Sequence, residues 1–211
     1  MTKVIKKQII RASNLQLKLG FNLGSEGNIS IRNSSNIFIT PSGINACDLK
    51  EKDISVVDFN GNIENNNKPS SEIDLHLMLY KLREDIKAIV HCHSPWASIL
   101  ACLRKDIPAF HYMVAEFGGV KIKCADYATF GTKKLARNVV KAIDNTFGCL
   151  IGNHGQICVG KSLAHATNLS RALEKLSMEY YFCLISGKVK LLAGNEIKKV
   201  LNLFENYKPI N

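Results

Sequence analysis

Apolar residues recur along the chain with the periods of helices and strands in turn. At the N-terminus their helical spacing predicts a helix over 4–19, and Gly20 follows where a helix commonly ends. The second helix begins at Ser70-Ser71, with Ser71 and Asp74 spaced like a capping box. In full, the pattern predicts helices at 4–19, from Ser70-Ser71 to about Arg83, from Ser94-Pro95 onward, and over 132–144, 162–186 and about 195–205.

Short apolar or alternating segments between these helices predict strands. They lie at Ile29–Ile31, Ile37–Ile39, 53–59, 62–64, 87–93, 120–123, 149–151 and 156–159. Asn60-Gly61 predicts a hairpin turn, so the sheet is at least partly antiparallel. Because strands and helices interleave with short connections, the class is α/β. Neither a repeat nor a linker divides the chain, which predicts a single domain over 1–211.

Composition narrows the classes of protein to consider. With 211 residues and 46% hydrophobic content, the chain can bury a sizeable core. It has neither an apolar run long enough for a membrane helix nor the apolar stretch of a signal peptide, so we expect a cytoplasmic protein without a membrane partner. The seven cysteines are scattered and form no C-x-x-C pair, which indicates reduced thiols.

The net charge of +10 raises the question of an anionic partner. The basic residues are spread along the chain, without an arginine-rich arm or a basic motif interleaved with aromatic residues. This distribution argues against nucleic acid as a partner. It favours a small anionic substrate or a basic solvated surface.

His91 and His93 are the first candidates for chemistry. They lie two apart in a predicted strand, so both side chains face the same side while Cys92 faces the other. Two histidines at this spacing commonly hold zinc. The alternative is a pair of histidines that bond locally.

Further metal ligands would have to come from elsewhere in the chain. His154 lies in a glycine-flanked turn that could aim its ring into a cleft, although surface turns also hold idle histidines. Glu72 opens a helix, where it could be a fourth ligand, a general base, or a residue favoured by the helix dipole. His76 and His165 lie within predicted helices and are interpreted as packed or solvated residues. Spacing leaves open whether the candidates meet.

Small polar residues form three clusters that could cradle a phosphate. Two of the clusters precede regular elements, and one lies at a helix N-terminus, where backbone N–H groups favour an anion. Ordinary turn and capping chemistry is the alternative. The candidates are Ser25, Gly27, Asn28, Gly43, Ser70 and Ser71. The chain has neither a P-loop nor a G-x-G-x-x-G motif, so nucleotides are not indicated.

Taken together, these segments resemble the class II aldolase/adducin family from about residue 8 to Tyr207. The motifs that carry the resemblance are residues 24–30 (GSEGNIS), 39–43 (ITPSG), 69–72 (PSSE), 90–93 (VHCH), 107–113 (IPAFHYM), 127–132 (YATFGT) and 153–155 (NHG). The resemblance implies a three-layer α/β/α fold with a central, largely antiparallel mixed sheet. It also implies a homotetramer whose active sites are shared between subunits.

The resemblance further implies a set of site residues. Zinc would be held by Glu72, His91, His93 and His154, and the substrate phosphate by Ser25, Asn28, Gly43, Ser70 and Ser71. Tyr112 would act as acid and base from a neighbouring subunit, and Phe204 and Tyr207 would close over the substrate. The implied reaction splits a ketose 1-phosphate, a small sugar phosphate, into dihydroxyacetone phosphate and an aldehyde. Zinc would polarise the carbonyl, and Glu72 would leave the metal to move the proton.

Two departures from the family pattern leave the sugar open. Ser25 stands where a threonine is expected, and Glu116 stands where a small residue is expected. Glu116 could be a solvated loop residue or could line the aldehyde pocket. The substrate could therefore be L-fuculose 1-phosphate or a related 5-deoxy or 5-methylthio pentulose 1-phosphate.

Three alternatives to an aldolase come with the family. A methylthioribulose-1-phosphate dehydratase would use a glutamate such as Glu116 as its base. A pentulose-phosphate 4-epimerase would be expected to carry aspartate at the position where this chain has Glu72. An adducin-like interaction module would lack the metal histidines, which stand in this sequence.

Overall fold

The computed structural model of the chain describes residues 2–206, apart from the side chain of Glu205. Within that range the backbone forms a seven-stranded sheet and six α-helices. The strands are β1 (Asn28–Asn33), β2 (Asn36–Ile39), β3 (Ser55–Asp58), β4 (Ala88–Cys92), β5 (Cys124–Ala125), β6 (Gly148–Ile151) and β7 (Gly155–Gly160). The helices are α1 (Thr2–Lys18), α2 (Ile73–Leu82), α3 (Pro95–Cys102), α4 (Lys133–Ile143), α5 (Leu163–Ser186) and α6 (Gly194–Asn206), with 3-10 helices at Ala46–Asp48 and Tyr112–Phe117.

The strands are ordered β3-β2-β1-β4-β7-β6-β5. Every neighbouring pair is antiparallel except β5 with β6, which is parallel. The middle strand β4 pairs with β1 on one side, where Asn28 lies opposite His91, and with β7 on the other, where Ile157 does. The predicted mixed, largely antiparallel sheet is therefore confirmed.

Alternation along the strands divides the core between two faces of the sheet. Ile89 and Ile157 pack with residues of α2 and α4 on one face. Val90 packs with residues of α1 on the opposite face, where α3 and α5 also lie. Each fully buried aliphatic side chain stabilises the fold by about 1.5–3 kcal/mol, so both helical layers hold the sheet. This confirms the three-layer α/β/α prediction.

Three local predictions were wrong. The predicted strand 120–123 is not a regular strand: Ile122 makes one isolated bridge to Ile107, and regular pairing starts only at Cys124. Ile122 is apolar because it is buried between loops and helices, so its burial imitates a strand signal. After the Asn60-Gly61 turn, the second strand of the predicted hairpin is reduced to one bridge between Val57 and Ile63.

The third wrong prediction concerns the start of α2. The residue preceding the helix is Glu72 and not Ser71, and no side-chain capping bond is formed there. The hydroxyl of Ser70 instead accepts a hydrogen bond from the backbone N–H of Glu72 at 3.3 Å. The carboxylate of Glu72 does not cap the helix and is available for other contacts. Between residues 2 and 206, no helix has the length and apolar character needed to cross a bilayer.

The turn that follows the predicted metal histidines is held by a distant glutamate. Glu174 of α5 is buried and accepts hydrogen bonds from the Ser94 hydroxyl at 2.6 Å and from the backbone N–H groups of Trp96 and Ala97 at 2.9 Å. Ser94 precedes α3 but makes no side-chain cap of its own. A carboxylate 80 residues away therefore caps this helix.

Replacing Glu174 by alanine should lower the free energy of unfolding by about 2–4 kcal/mol, because three buried donors lose their acceptor. Glu174→Gln, which keeps one amide oxygen, should cost less. Urea denaturation monitored by circular dichroism measures both values. The exposed Glu196 of α6 provides the control, and a Glu174→Ala variant as stable as Glu196→Ala would contradict the capping role.

Candidate active site

The end of β4 places two histidines on the α2 side of the sheet. His91 follows Ile89 at the alternation of a strand, so it faces the same layer, and its side chain is fully buried. His93 lies just beyond the strand, where its backbone N–H donates to the side-chain oxygen of Asn22 at 3.0 Å. Asn22 is itself buried, and its hydrogen bond fixes the backbone as the strand ends.

His154 reaches the same place from the turn between β6 and β7. The left-handed residue in this turn is Asn153, with φ of 54°, and its side-chain oxygen accepts from the Arg104 guanidinium at 2.8 Å. The sharp bend expected of the flanking glycines is thus made by an asparagine. Gly155 is required for another reason: a Cβ there would lie 2.5 Å from the carbonyl oxygen of Cys92. The backbones of β4 and β7 can approach this closely only without a side chain.

Gly27 allows a second close approach at the end of β4. A Cβ at this position would lie 2.6 Å from the carbonyl oxygen of His91 and would also meet the side chain of Asn22. Its φ of 65° is in the left-handed region, which disfavours any other residue. The backbone bearing His91 and His93 is therefore enclosed on two sides by glycines.

The three histidines converge. Their ring centroids lie 4.8–5.0 Å apart, and one nitrogen of each ring lies within 4.8 Å of the others. Glu72 completes the group, with one carboxylate oxygen 3.2 Å from Nε2 of His91 and the other 3.9 Å from Nε2 of His154. The structure thus brings together all four residues predicted to bind metal, and their role as ligands stays a prediction.

Hydrogen bonding and burial favour the metal-binding form of these rings. Nδ1 of His91 lies 2.8 Å from the carbonyl oxygen of Gln156, so Nδ1–H donates to it and Nε2 is the nitrogen that faces Glu72 and His93, each at 3.2 Å. Burial, together with the neighbouring His91, lowers the pKa of His93 and of His154 to about 4, which keeps both rings neutral.

The surroundings lower the pKa of Glu72 and raise the pKa of His91, so both side chains are shifted toward their charged forms. Burial would raise the pKa of Glu72, but His91, His154 and the amide of Asn28 outweigh it and lower the pKa. Burial would likewise lower the pKa of His91, but the carboxylate of Glu72 and the Gln156 carbonyl raise it. The group therefore carries a buried carboxylate among imidazoles.

One structural observation, independent of the family resemblance, indicates that these residues could hold a divalent metal ion. Oxygen Oε1 of Glu72 is buried and makes no hydrogen bond among the described residues. A buried ionised oxygen without a partner is costly, and a cation at this point would remove the cost. Three imidazoles and one carboxylate are a donor set that suits zinc.

His93, His154 and Glu72 line a cavity of about 560 Å³, and His91 is buried behind them. All of the residues predicted to hold phosphate line it, namely Ser25, Gly27, Asn28, Gly43, Ser70 and Ser71. Asn28 donates one N–H of its amide to Glu72 at 2.9 Å, which leaves a second N–H for a cavity ligand. The predicted anion cluster and the metal cluster thus share one cavity.

Seven residues that line the cavity were not among the predicted site residues, and four of them have side chains that bear on the site. Glu26 lies with its carboxylate 3.7 Å from Nδ1 of His93. Tyr127 and Phe130 line the cavity although they are 49% and 64% exposed, and Asn153 lies beside His154. A large aromatic residue in a polar, glycine-containing loop, as in 127–132, is the signal that could have indicated the two rings.

Other predicted site residues lie away from this cavity within their own chain. Tyr112 is 49% exposed and does not line it, and the ring of Phe204 lies 6.5 Å from that of Tyr112. Glu116 is half-buried in a separate cavity beside Trp96 and Arg171, and burial raises its pKa. Tyr207 lies outside the described residues.

Comparisons with known proteins agree with this geometry. The family model described as Class II Aldolase and Adducin N-terminal domain matches residues 7–181. The 5-methylthioribulose-1-phosphate/5-deoxyribulose-1-phosphate aldolase of Rhodospirillum rubrum is 39% identical over 203 residues, covering 96% of this chain and 92% of that protein. The L-fuculose phosphate aldolase of Escherichia coli K12 is 38% identical over 204 residues, covering 96% and 95%.

A solved structure of an L-fuculose 1-phosphate aldolase superposes with a TM-score of 0.92 at 36% identity, covering 95% of this chain and 96% of that one. The names of these relatives agree with the prediction of an enzyme of the aldolase class. Both the family model and the relatives span most of the chain, which confirms the family resemblance. The chain therefore belongs to the class II aldolase and adducin family.

Proposed function

We propose that the protein is a zinc-dependent aldolase that cleaves a ketose 1-phosphate into dihydroxyacetone phosphate and an aldehyde. The observation that carries this proposal is the convergence of His91, His93, His154 and Glu72 beside a cavity lined by small polar residues. Zinc held by these four residues would supply Lewis-acid polarisation of the substrate carbonyl. The polar cluster beside them would bind the phosphate.

The phosphate site would use neutral groups. Ser70 and Ser71 lie just before Glu72, the residue that precedes α2, and the backbone N–H groups and dipole at a helix N-terminus favour an anion. Ser25 and the second amide N–H of Asn28 add donors, and Gly43 leaves backbone exposed to the cavity. Phosphate bound here would hold the reacting carbons beside Glu72.

Glu72 would move the proton. Cleavage of the bond between carbons 3 and 4 leaves a three-carbon fragment that needs a proton on carbon 3. Because the carboxylate is ionised at rest, its oxygen Oε1, which has no hydrogen-bond partner among the described residues, would first take up a proton from water and would then deliver it to carbon 3, while the proton of the carbon 4 hydroxyl would leave through Tyr112. Its buried setting beside the phosphate cluster suits a group that acts on a bound substrate.

The aldehyde end would be completed by another copy of the chain. Tyr112 is half-exposed and does not line the cavity of its own chain, so it is available to a neighbour. This supports a homotetramer with shared active sites, in which the neighbouring Tyr112 exchanges a proton with the aldehyde oxygen. Tyr207 would close over the substrate, and the proposed location is the cytoplasm.

The substrate would be L-fuculose 1-phosphate or a 5-deoxy or 5-methylthio pentulose 1-phosphate, as the names of the relatives suggest. Glu116, the base expected of a dehydratase, lies in a separate cavity beside Trp96 and Arg171, and the relatives are named aldolases, which favours the aldolase. The 4-epimerase alternative is disfavoured by Glu72, where aspartate is expected.

Zinc-loaded protein offered these ketose 1-phosphates should release dihydroxyacetone phosphate, detected by a coupled dehydrogenase that oxidises NADH. A chelator should stop the release, and added zinc should restore it. The matching ketoses without phosphate serve as controls, because they cannot use the anion cluster. Absence of release from every sugar, with zinc bound, would contradict the proposal.

His91→Ala and His154→Ala should each lose zinc and activity together. The loss of zinc affinity should be larger than the loss of about 10–100-fold that follows removal of a partner hydrogen-bonded to a ligand. Metal content after gel filtration and turnover with excess zinc measure the two effects. His165→Ala is the matched control, since His165 lies at the start of α5, where its ring bonds the backbone of Lys161. Full zinc content in His91→Ala would exclude that residue as a ligand.

Glu72→Gln should retain zinc through the three histidines yet lose turnover by about 10²–10⁴-fold, because the amide cannot deliver a proton. Turnover and zinc content are measured on the same sample. Undiminished turnover in this variant would remove Glu72 from the proton transfer. Loss of zinc together with turnover would instead identify it chiefly as a ligand.

A further inference from the structure

Behind Glu72, an unbroken line of hydrogen-bonded side chains runs through the core. Asn28 bonds Glu72 at 2.9 Å and His76 at 2.6 Å. On its other ring nitrogen, His76 lies 2.7 Å from the hydroxyl of Ser30, which lies 2.8 Å from the hydroxyl of Tyr80. All five residues are at most 5% exposed. The line joins the candidate active site to the interior of the α2 layer.

The line follows from two periodicities. Asn28 and Ser30 are two apart on β1, so both side chains face α2. Glu72, His76 and Tyr80 are four apart, so they share one face at the start of and along α2. Polar residues of one strand face thus meet polar residues of one helix face, in a layer of the core that is otherwise apolar.

The chemistry of the groups fixes the direction of every bond. The ionised carboxylate of Glu72 can only accept, so the Asn28 amide nitrogen must face it and the amide oxygen must face His76. Nε2 of His76 must therefore carry the proton, and Nδ1 must accept from Ser30. The Ser30 oxygen then accepts from the hydroxyl of Tyr80.

Burial keeps this direction constant. It lowers the pKa of His76 to about 3 and raises the pKa of Tyr80, so His76 stays neutral and Tyr80 stays protonated near neutral pH. At the other end, oxygen Oε2 of Glu72 is held by Asn28, while Oε1 is buried and has no hydrogen-bond partner within residues 2–206. The two oxygens of one carboxylate are thereby distinguished.

We propose that His76 is a positioning residue that, through Asn28, fixes the orientation of Glu72 and leaves Oε1 as the oxygen that transfers the proton. The inference rests on the proposed function for the role of Glu72, but the direction of the hydrogen bonds stands without it. Without the Nε2–H donor, the Asn28 amide could rotate and present its oxygen to Glu72. The carboxylate would then lose its hold and would turn away from the bound substrate.

The first test is independent of activity. In protein labelled with ¹⁵N-histidine, the ring nitrogens of His76, assigned by comparison with His76→Gln, should report the neutral Nε2–H tautomer with an unprotonated Nδ1. The Nδ1–H tautomer, or a protonated ring at neutral pH, would overturn the proposal. Protein without activity on any sugar phosphate, but with the expected tautomer, would contradict the proposed function and leave the bond direction supported.

The second test uses a matched pair of substitutions. The amide nitrogen of a glutamine can reach the position of Nε2 of His76, whereas that of an asparagine reaches only Nδ1. His76→Asn should therefore lower kcat about 10–100-fold, as loss of an outer partner does, with KM and zinc content near the wild type. His76→Gln should retain most of the turnover, because it keeps the donor to Asn28.

Two further variants cover the case in which His76→Asn fails to fold. Ser30→Ala should lower kcat less than His76→Asn, and Tyr80→Phe least, because the effect fades with the number of bonds from Glu72. Ser177→Ala is the matched control, since Ser177 is equally buried but donates to a carbonyl of its own helix. Equal losses in His76→Gln and His76→Asn, or in Ser30→Ala and Ser177→Ala, would identify a purely structural role and overturn the proposal.

Discussion

The position of β4 in the middle of the sheet determines the rest of the molecule. Its antiparallel pairing with β1 places Asn28 opposite His91, and its pairing with β7 brings the turn that carries His154 alongside. Both strands lie next to β4 in space but far from it in sequence. The cluster of histidines predicted to bind metal is therefore assembled by sheet register, and a slip of one residue would turn His91 to the opposite face.

Helix α2 adds a negative charge, that of Glu72, to the group of histidines that the strand register brings together. Glu72 at its start is buried against two histidines, and the polar line through Asn28 and His76 fixes it from behind. A buried carboxylate is tolerated only where donors and cations surround it. Ser70 and Ser71, predicted to bind phosphate, lie beside the same helix N-terminus, so under the proposed function one helix would serve the proton transfer and the binding of substrate.

Much of this could be predicted from the chain, for identifiable reasons. Strand alternation alone placed His91 and His93 together, because the period of two is strict. The remaining members depend on contacts that spacing does not encode: His154 arrives through the β6–β7 turn, and Glu174 caps α3 from 80 residues away. These contacts are set by which strands and helices become neighbours.

His76 shows how local interpretation falls short. Its position within a helix predicts a packed or solvated residue, and it is indeed packed, but helical spacing does not reveal that both of its ring nitrogens are hydrogen-bonded. The signal was present as polar residues at core-facing positions of two elements, Asn28 and Ser30 on one and His76 and Tyr80 on the other. Such positions gain meaning only when the pairing of the elements is known. The false strand at 120–123 is the converse case, in which burial alone imitated pairing.

Because of the two glycines that enclose the end of β4, the two parts of the site differ in how well they can accept substitutions. Because Gly27 and Gly155 let main chain lie directly on main chain, the spacing of the histidines is set by backbone that no side-chain exchange can adjust. The aromatic rings of Tyr127 and Phe130 at the cavity are largely exposed and meet no such restriction. We therefore expect the exposed rings to accept substitutions that alter substrate preference, and the backbone around the histidine cluster to accept very few.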